Sequence, residues 1–407
     1  MSTLPSSPVR APRVLDSINP KSLGFALLLV ALGAVYLAQA VSLRQAALYL
    51  VGALLGMTLY HAAFGFTSAW RVFIADRRGA GLRAQMLMLA IGVLLFFPAL
   101  SAGTLFGQPV TGLVSPAGTS VIVGAFLFGV GMQLGGGCAS GTLYTVGGGS
   151  TRMIVTLLAF VVGSVVATAH MPFWTSMPQL KPVSLVHALG VLPALVLNLA
   201  VFAVIAALTV TFEKRRHGAL VRETRAPHTS PWLHGPWPLL AGAVALAVLN
   251  FATLALSGRP WGVTSAFALW GAKGFAALGI DVASWKYWLA GPNAAALAAP
   301  ASHDVTTVMD VGIILGAMAA ASLAGRYAPV WRVPLRSLIA AVAGGLLLGY
   351  GARLAYGCNI GAYFSGIVSG SLHGWLWLVC AFAGNVLGTR LRPWFGLEVE
   401  RVKNTGC

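Results

Sequence analysis

The chain has few charged residues, and acidic residues are especially scarce. Only 9% of its 407 residues are charged, whereas soluble domains carry roughly 25%. Asp and Glu together number 9, beside 26 Lys and Arg. So few charges cannot cover a water-facing surface of this size, which excludes a soluble globular protein. The hydrophobic fraction of 57% and the mean hydropathy of +0.82 indicate a membrane protein instead.

Motifs for nucleotide, metal or disulfide chemistry are also missing. The four cysteines (Cys138, Cys358, Cys380 and Cys407) contain no C-x-x-C pair, which disfavours a disulfide framework or a haem attachment site. No G-x-x-x-x-G-K-[ST] occurs, which excludes ATP hydrolysis by this chain. The histidines are scattered, so we expect no metal and no other cofactor. In a membrane protein the net charge of +17 reflects basic loops, so no nucleic-acid partner is expected.

Ten apolar segments are long enough to cross a bilayer as helices. They lie at about 23–40, 46–64, 82–101, 119–135, 151–169, 188–211, 237–257, 305–325, 337–356 and 371–389. The sequence therefore predicts an all-α polytopic membrane protein surrounded by the lipid bilayer. Ala38-Gln39-Ala40 resembles a signal cleavage site, but the preceding apolar run is long for a signal peptide. We interpret the first segment as an uncleaved helix.

Lys and Arg are distributed unevenly between the loops on the two sides of these spans. If the amino terminus is cytoplasmic, only five lie on the outer side: Arg44, Lys181, Arg259, Lys273 and Lys286. Arg353 lies inside a span, and the other 20 lie on the cytoplasmic side. Basic residues concentrate in cytoplasmic loops. This pattern predicts a multi-pass protein of the bacterial inner membrane with both termini in the cytoplasm.

Two sequence blocks occur twice in the same order. Gly65–Trp70 matches Gly262–Phe267, and Gly131–Gly141 matches Gly351–Gly361 with the shared pattern G-x-x-L-x-x-G-C-x-x-G. The later half carries an insertion near 279–304. Because the two halves begin five spans apart, they are expected to have opposite orientations. Inverted repeats of this kind are typical of transporters whose substrate sites lie near the membrane midplane.

The duplication predicts a division of the chain into five parts. They are an N-terminal segment with the first helix (1–44), a first repeat (45–170), a connecting helix with a basic loop (171–231), a second repeat (232–391) and a cytoplasmic tail (392–407).

Each repeat is expected to contain a broken helix at its cysteine. Gly135-Gly136-Gly137 has little helix propensity, and a short helix can restart at Cys138 and run to about Val146. The second repeat predicts the same from Cys358 to about Phe364. Each cysteine then lies at a half-helix amino terminus, where free N–H groups favour negative charge. The predicted pathway residues are Cys138, Cys358, Gly137, Gly357, Arg353 and Asn359.

Several of these residues have a structural alternative. A free cysteine is often a small buried hydrophobe, although the matched positions of Cys138 and Cys358 favour a pathway role. Arg353 either faces the pathway and attracts an anion or extends to the interface. Asn359 either donates to a ligand or caps the half-helix. Asp310 lies near the start of the eighth span, where an interfacial role is favoured over a role in a proton relay.

The two cysteine blocks, together with Gly258–Phe267 and Ser371–Trp377, resemble the YeeE/YedE family over roughly residues 45–392. The resemblance implies a transporter rather than an enzyme. In that family thiosulfate is thought to pass between cysteine thiols, held by S–H hydrogen bonds, and Cys138 and Cys358 match two of those cysteines. The family commonly has a further cysteine where this chain has Phe64, so sulfite, sulfide-related species or a selenium compound stay open as substrates.

Other functions compete with permeation of a sulfur-containing anion. A membrane thiol oxidoreductase would use Cys138 and Cys358 as electron carriers, but the chain lacks a vicinal dithiol. A soft-metal carrier is disfavoured because Arg353 would repel a cation. A membrane subunit that recruits a soluble sulfurtransferase on the cytoplasmic side is compatible with permeation.

Overall fold

The computed structural model describes residues 18–220 and 231–399. Parts of the predicted segments 1–44, 171–231 and 392–407, including Cys407, lie outside the described residues. In the described part, ten helices or consecutive helix pairs are long and apolar enough to cross a membrane. The predicted all-α polytopic membrane fold is therefore confirmed.

The α-helices are numbered in chain order. They are α1 (Pro20–Ala40), α2 (Leu43–His61), α3 (Phe66–Asp76), α4 (Ala80–Ala102), α5 (Thr119–Gly135), α6 (Ala139–Gly147), α7 (Thr151–Ser176), α8 (Leu185–Leu189), α9 (Val191–His217), α10 (Pro231–His234), α11 (Leu239–Ser257), α12 (Thr264–Ala277), α13 (Gly291–Ala298), α14 (Val305–Leu323), α15 (Leu335–Leu354), α16 (Ser365–Val368) and α17 (Leu372–Leu391).

The remaining regular elements are short. A π-helix (Asn359–Phe364) precedes α16, and 3₁₀ turns lie at Val282–Ser284, Ala301–His303 and Arg392–Phe395. Two-residue strands form two antiparallel pairs. They are β1 (Thr104–Leu105) with β2 (Gln108–Pro109), and β3 (Ala117–Gly118) with β4 (Gln179–Leu180).

Equivalent helices of the two repeats pack in equivalent ways. Helix α7 packs along α15 and its counterpart α17 packs along α5, while α2 packs along α14 and α11 along α4. The counterparts α5 and α15 also touch each other. Gly124 near the start of α5 lies against Gly351 near the end of α15, whereas Gly135 at the end of α5 lies against Gly344. The two helices are therefore antiparallel, which agrees with the prediction of inverted repeats. Glycines at these contacts allow the backbones to approach closely.

The connections gather at two opposite ends of the bundle. One end, called the basic end below, brings together the loops 77–79, 148–150 and 324–334. There Thr151 donates to the carbonyl of Val330. The opposite end collects the loops 103–118, 177–184 and 369–371, where the Leu113 N–H donates to Ser369 Oγ at 2.9 Å.

Two further short helices were not predicted as separate elements. The predicted segment 46–64 corresponds to α2, which ends at His61. The chain then turns at residues 62–65, and α3 begins with the buried Phe66. Helix α12 starts with the equivalent block of the second repeat. Each repeat therefore contains two interrupted helices, and sequence reasoning identified one. The boundaries of the five predicted parts stay a prediction.

Candidate substrate pathway

Cys138 lies at the amino terminus of α6, as the sequence predicted. It is the N-cap residue, and the Gly141 N–H donates to its Sγ at 3.4 Å. Ser140 Oγ lies 3.5 Å from the same sulfur. The side chain is buried. The sulfur thus takes the position in which an N-cap oxygen satisfies a free N–H of the first turn.

Cys358 has the equivalent position in the second repeat, but the turn after it is wider. It precedes the π-helix Asn359–Phe364, and its carbonyl accepts from the N–H groups of Ala362 at 2.9 Å and Tyr363 at 3.2 Å. Its thiol is fully buried and does not cap the helix. Single-turn π-helices occur frequently at functional sites.

A glycine before each cysteine allows the chain to pass close to the short helix that follows. A Cβ on Gly137 would lie 3.1 Å from the Thr142 N, and a Cβ on Gly357 would lie 2.6 Å from the Ala362 N. Gly357 also has a φ of +149°, which only glycine adopts readily. Both predicted glycine positions are therefore required for backbone geometry.

The fold brings the two cysteine-bearing segments together. Helix α6 contacts the π-helix, and Cys138 and Cys358 belong to one buried cluster. Asn359 is also fully buried, and neither its Oδ1 nor its Nδ2 has a hydrogen-bond partner in the described part of the chain. Buried amides are normally hydrogen-bonded. The Asn359 amide is therefore available to a polar ligand beside Cys358.

A cavity of about 640 Å³ opens at the opposite end and reaches the second cysteine motif. Its lining includes Gly357, Gly361 and Arg353. The Arg353 Nη1 donates to the Tyr287 hydroxyl at 3.1 Å, and the guanidinium carbon lies 5.9 Å from the centre of that ring. No carboxylate of the described residues pairs with Arg353, so its charge can act on an anion in the cavity.

A smaller cavity of about 260 Å³ lies near the basic end. Its lining includes Gly65 and Ser68, and the matching residues Gly262 and Ser265 line the larger cavity. The repeated block therefore borders a cavity in each half of the molecule. Such a pair of entrances is what alternating access between two inverted halves requires.

A family model described as sulphur transport matches residues 61–387 of the chain. This range includes both cysteine motifs and both cavities. The chain belongs to the sulphur transport family. As members of this family are transporters, this chain is a membrane transporter and not an enzyme.

Two kinds of relative illustrate the family. The chain is 30% identical over 350 residues to the "Thiosulfate transporter TsuA" of Spirochaeta thermophila, covering 83% of this chain and 95% of the relative. It is 26% identical over 354 residues to the protein of the same name from Escherichia coli, covering 82% and 90%. It is also 31% identical over 176 residues to the "Probable transporter YedE" of Salmonella typhimurium, with 42% of each chain covered.

In this sulphur transport family member, several arginines at the basic end point inward, which the sequence did not indicate. Arg71 was assigned to a loop, but it lies in α3 and is buried, with its Nη1 3.4 Å from Gln133 Oε1. Arg392 Nη1 donates to the Gln133 carbonyl at 2.6 Å. Gln133 matches Arg353 in the repeated block. The two arginines therefore place positive charge at this position of the first repeat, as Arg353 does in the second.

Asp310 differs from the expectation of an interfacial position. Asp310 is fully buried, and neither of its carboxyl oxygens has a hydrogen-bond partner in the described ranges. His373 is buried as well, with its Nδ1 2.6 Å from Ser371 Oγ. The expectation failed because helix position along the chain does not indicate which side faces neighbouring helices. The sequence did contain a signal for a buried position of Asp310, because an acidic residue in an otherwise apolar span usually faces the interior of the helix bundle.

Phe64 fills the position where the family commonly has a cysteine. It is buried, and its ring packs edge-to-face on Phe66 at 5.7 Å. The nearby His61 is also buried, and its two ring nitrogens have no hydrogen-bond partner among the described residues. An apolar ring stands where the family commonly has a thiol, and a buried imidazole lies three residues before it.

Arg152 holds the end of α5 in place just before Cys138. Its Nη1 donates to the Gly135 carbonyl at 2.6 Å and its Nη2 to the Leu134 carbonyl at 2.7 Å. These carbonyls would otherwise be unsatisfied at the helix terminus. We expect Arg152→Met to lower the free energy of unfolding by about 2 kcal/mol, the scale of hydrogen bonds to a charged group. Thermal denaturation in detergent measures this change.

The matched control for this prediction is Arg336→Met, because Arg336 is an exposed residue on the first turn of α15. It should leave the melting temperature near that of the parent. Equal melting temperatures for the two variants would contradict a stabilising role of Arg152.

Proposed function

We propose that this chain is a permease that carries thiosulfate across the bacterial inner membrane, with Cys138 and Cys358 as successive contact points. The observation that carries the proposal is the meeting of two cysteine-bearing short helices, one from each inverted half. The named function of the two TsuA relatives, matched over most of their length, supports thiosulfate as the substrate.

The proposed site suits a dianion with a soft sulfur end. Moving an ion from water into a region of low dielectric constant is costly unless charges and hydrogen bonds compensate. The free N–H groups at a helix amino terminus favour an anion by about 0.3–1 kcal/mol at exposed positions and more when partly buried. Arg353 and the Asn359 amide add a charge and a hydrogen-bond donor near Cys358. The polarizable thiols offer weak S–H donors to the substrate.

Binding along this pathway should be divided among several weak sites. Passage requires that each site bind strongly enough to admit the anion and weakly enough to release it. In the proposal, Arg353 attracts thiosulfate into the larger cavity, Cys358 and Asn359 receive it, and Cys138 passes it toward the basic end. Gly137 and Gly357 allow the backbone to come close to each short helix.

The distribution of charge supports one orientation of the chain in the membrane. We assign the basic end to the cytoplasm because Lys and Arg accumulate in cytoplasmic loops. Both termini are then cytoplasmic, and the larger cavity faces outward. A soluble sulfurtransferase that meets the chain at the basic end would consume thiosulfate as it arrives. The inward arginines there are compatible with release of an anion to such a partner.

Uptake of sulfur-35 thiosulfate tests the proposal. Cells that lack their own thiosulfate carriers should accumulate the label when they express this chain and should not do so with an empty vector. Unlabelled sulfite, sulfate and selenite are added as competitors, because Phe64 leaves the choice among sulfur and selenium species open. Thiosulfate should compete best. Stronger inhibition by another species, together with weak thiosulfate uptake, would reassign the substrate.

A further inference from the structure

The buried carboxyl of Asp310 has no role in the pathway described so far. It lies in the second turn of α14, it is fully buried, and its Oδ1 and Oδ2 both lack a hydrogen-bond partner within residues 18–220 and 231–399. The preceding residue, Met309, lines the larger cavity. Ionisable side chains within membrane spans are costly and commonly mark ion or proton pathways.

The first repeat also carries a buried polar residue on the equivalent helix. Helix α4 is the counterpart of α14, and its Gln85 is buried.

Gln85 has an aromatic partner. The Trp70 Nε1–H donates to Gln85 Oε1 at 2.9 Å. The counterpart of Trp70 is Phe267, whose side chain has no N–H to donate. The second repeat therefore has an unpartnered carboxyl on α14, whereas the first has a hydrogen-bonded amide on α4.

The other acidic residues of the described part are accounted for. Asp76 pairs with Arg78 and lies beside His217, and Glu213 pairs with Arg83, all near the basic end. Asp304 and Asp281 cap helices, and Glu398 is exposed. Among the described acidic residues, Asp310 alone lies within a span without a partner.

The surroundings of Asp310 offer no counter-ion in the described chain. The ionisable groups within electrostatic range are Asp304 and Cys358, both of which are acids. The elements packed on α14 carry these titratable residues: Lys21 and Tyr36 (α1), Arg44, Tyr49, Tyr60 and His61 (α2), Tyr144 (α6), Lys273 (α12), His303 (the preceding 3₁₀ turn) and His234 (α10). None of them is bonded to Asp310, and Lys273 donates instead to the carbonyls of Leu297 and Ala299.

A carboxyl in such a place is stable only when it carries a proton, because an isolated buried charge is strongly disfavoured. The preceding residue, Met309, lines the same cavity as Gly357, which precedes Cys358, and this adds a second condition. A dianion held at Cys358 and an ionised Asp310 would repel each other, so binding of the anion favours the protonated acid. Proton binding and anion binding at this end of the pathway are thus thermodynamically linked.

Accumulation of a dianion requires a source of energy, because a negative interior opposes the entry of each negative charge. The sequence contains no motif for nucleotide hydrolysis, and an ion that enters together with the anion is another source. Building on the proposed function, we propose that Asp310 binds a proton that is co-transported with thiosulfate. A proton needs no further ligand at the carboxyl, whereas sodium requires several oxygen ligands, and replacement of sodium by choline in the test below distinguishes the two ions.

Reconstituted protein tests this coupling. The parent is placed in liposomes that contain a pH-sensitive dye, the membrane potential is clamped with potassium and valinomycin, and the outside is acidified by about one pH unit. Addition of thiosulfate should acidify the lumen. One proton per anion at this gradient allows up to about tenfold accumulation of sulfur-35 thiosulfate.

Asp310→Asn imitates the protonated acid. This variant should still let thiosulfate cross the membrane, but thiosulfate movement should no longer be coupled to proton movement. We expect this variant to exchange labelled for unlabelled thiosulfate, to lose lumen acidification, and to accumulate no more than the equilibrium amount. Asp310→Glu should restore acidification. Asp281→Asn, the same change at an exposed capping residue, should behave like the parent.

The possible contrary results are distinct. Thiosulfate transport by the parent without lumen acidification, undiminished acidification in Asp310→Asn, or loss of accumulation when sodium is replaced by choline would each overturn the proton role. Absence of any thiosulfate exchange by the parent would instead overturn the proposed function, and the coupling with it. If Asp310→Asn does not fold, proton movement in the parent and in Asp310→Glu tests whether thiosulfate transport is coupled to protons.

Discussion

Cys138→Ala and Cys358→Ala should each reduce thiosulfate uptake at least about tenfold, which corresponds to roughly 1.4 kcal/mol of lost stabilisation along the pathway. Each substitution removes a polarizable sulfur and a weak S–H donor from the start of a short helix. Alanine keeps the Cβ and the backbone, so the helices themselves should remain. The measurement is the initial rate of sulfur-35 thiosulfate uptake, normalised to the amount of protein in the membrane.

Cys380→Ala is the matched control for the cysteine variants. Cys380 is half-buried on α17, packs beside the core and has no counterpart in the first repeat. Its replacement should leave uptake near the parent value. Equal loss in all three variants at equal expression would mean that the changes act on folding. Preserved uptake in both Cys138→Ala and Cys358→Ala would rule out a thiol relay.

Gly357→Ala should abolish uptake. A Cβ at this position would lie 2.6 Å from the Ala362 N, and the φ of +149° is unfavourable for any other residue. Backbone strain of this kind costs about 1–3 kcal/mol, and the clash adds to it. Because the π-helix begins directly after Cys358, the strain must shift the thiol and Asn359. Uptake and the yield of monodisperse protein in detergent should both be measured.

Alanine substitutions at two further glycines serve as comparisons for Gly357→Ala. Gly137→Ala should be less harmful, because the nearest atom to its Cβ is the flexible Met153 Cε at 2.9 Å. Gly274→Ala, on the exposed side of α12 with no atom within 4 Å of the added Cβ, should transport like the parent. Equal uptake in Gly357→Ala and Gly274→Ala would contradict the need for close backbone approach at Cys358.

The two repeats have diverged in chemistry while keeping one geometry. The first repeat caps its short helix with the Cys138 sulfur and surrounds Gln133 with arginines. The second repeat leaves Cys358 uncapped, widens the turn into a π-helix and places Arg353 over a larger cavity.

Several parts of the site followed from the sequence. The short helices were expected from Cys138 to about Val146 and from Cys358 to about Phe364, and the structure has helices at Ala139–Gly147 and Asn359–Phe364. In the first repeat these boundaries follow from the glycine runs 135–137 and 147–149, and in the second repeat from its match to the first. The second short helix continues through α16 to Val368, past the expected end. The turn into α3 was missed because Gly65 and its neighbours contain no glycine run.

The sequence by itself determined that the chain crosses a membrane about ten times, that it is duplicated, and that each half places a cysteine at the start of a short helix. Apolar length, repeated blocks and glycine runs are local patterns, and each constrains its own stretch of backbone. Only the tertiary structure decided that α6 meets the π-helix, that Arg71 and Arg392 turn inward, and that Asp310 lacks a partner. Such relations depend on which faces of distant helices pack together, and the charge on a residue does not reveal its neighbours.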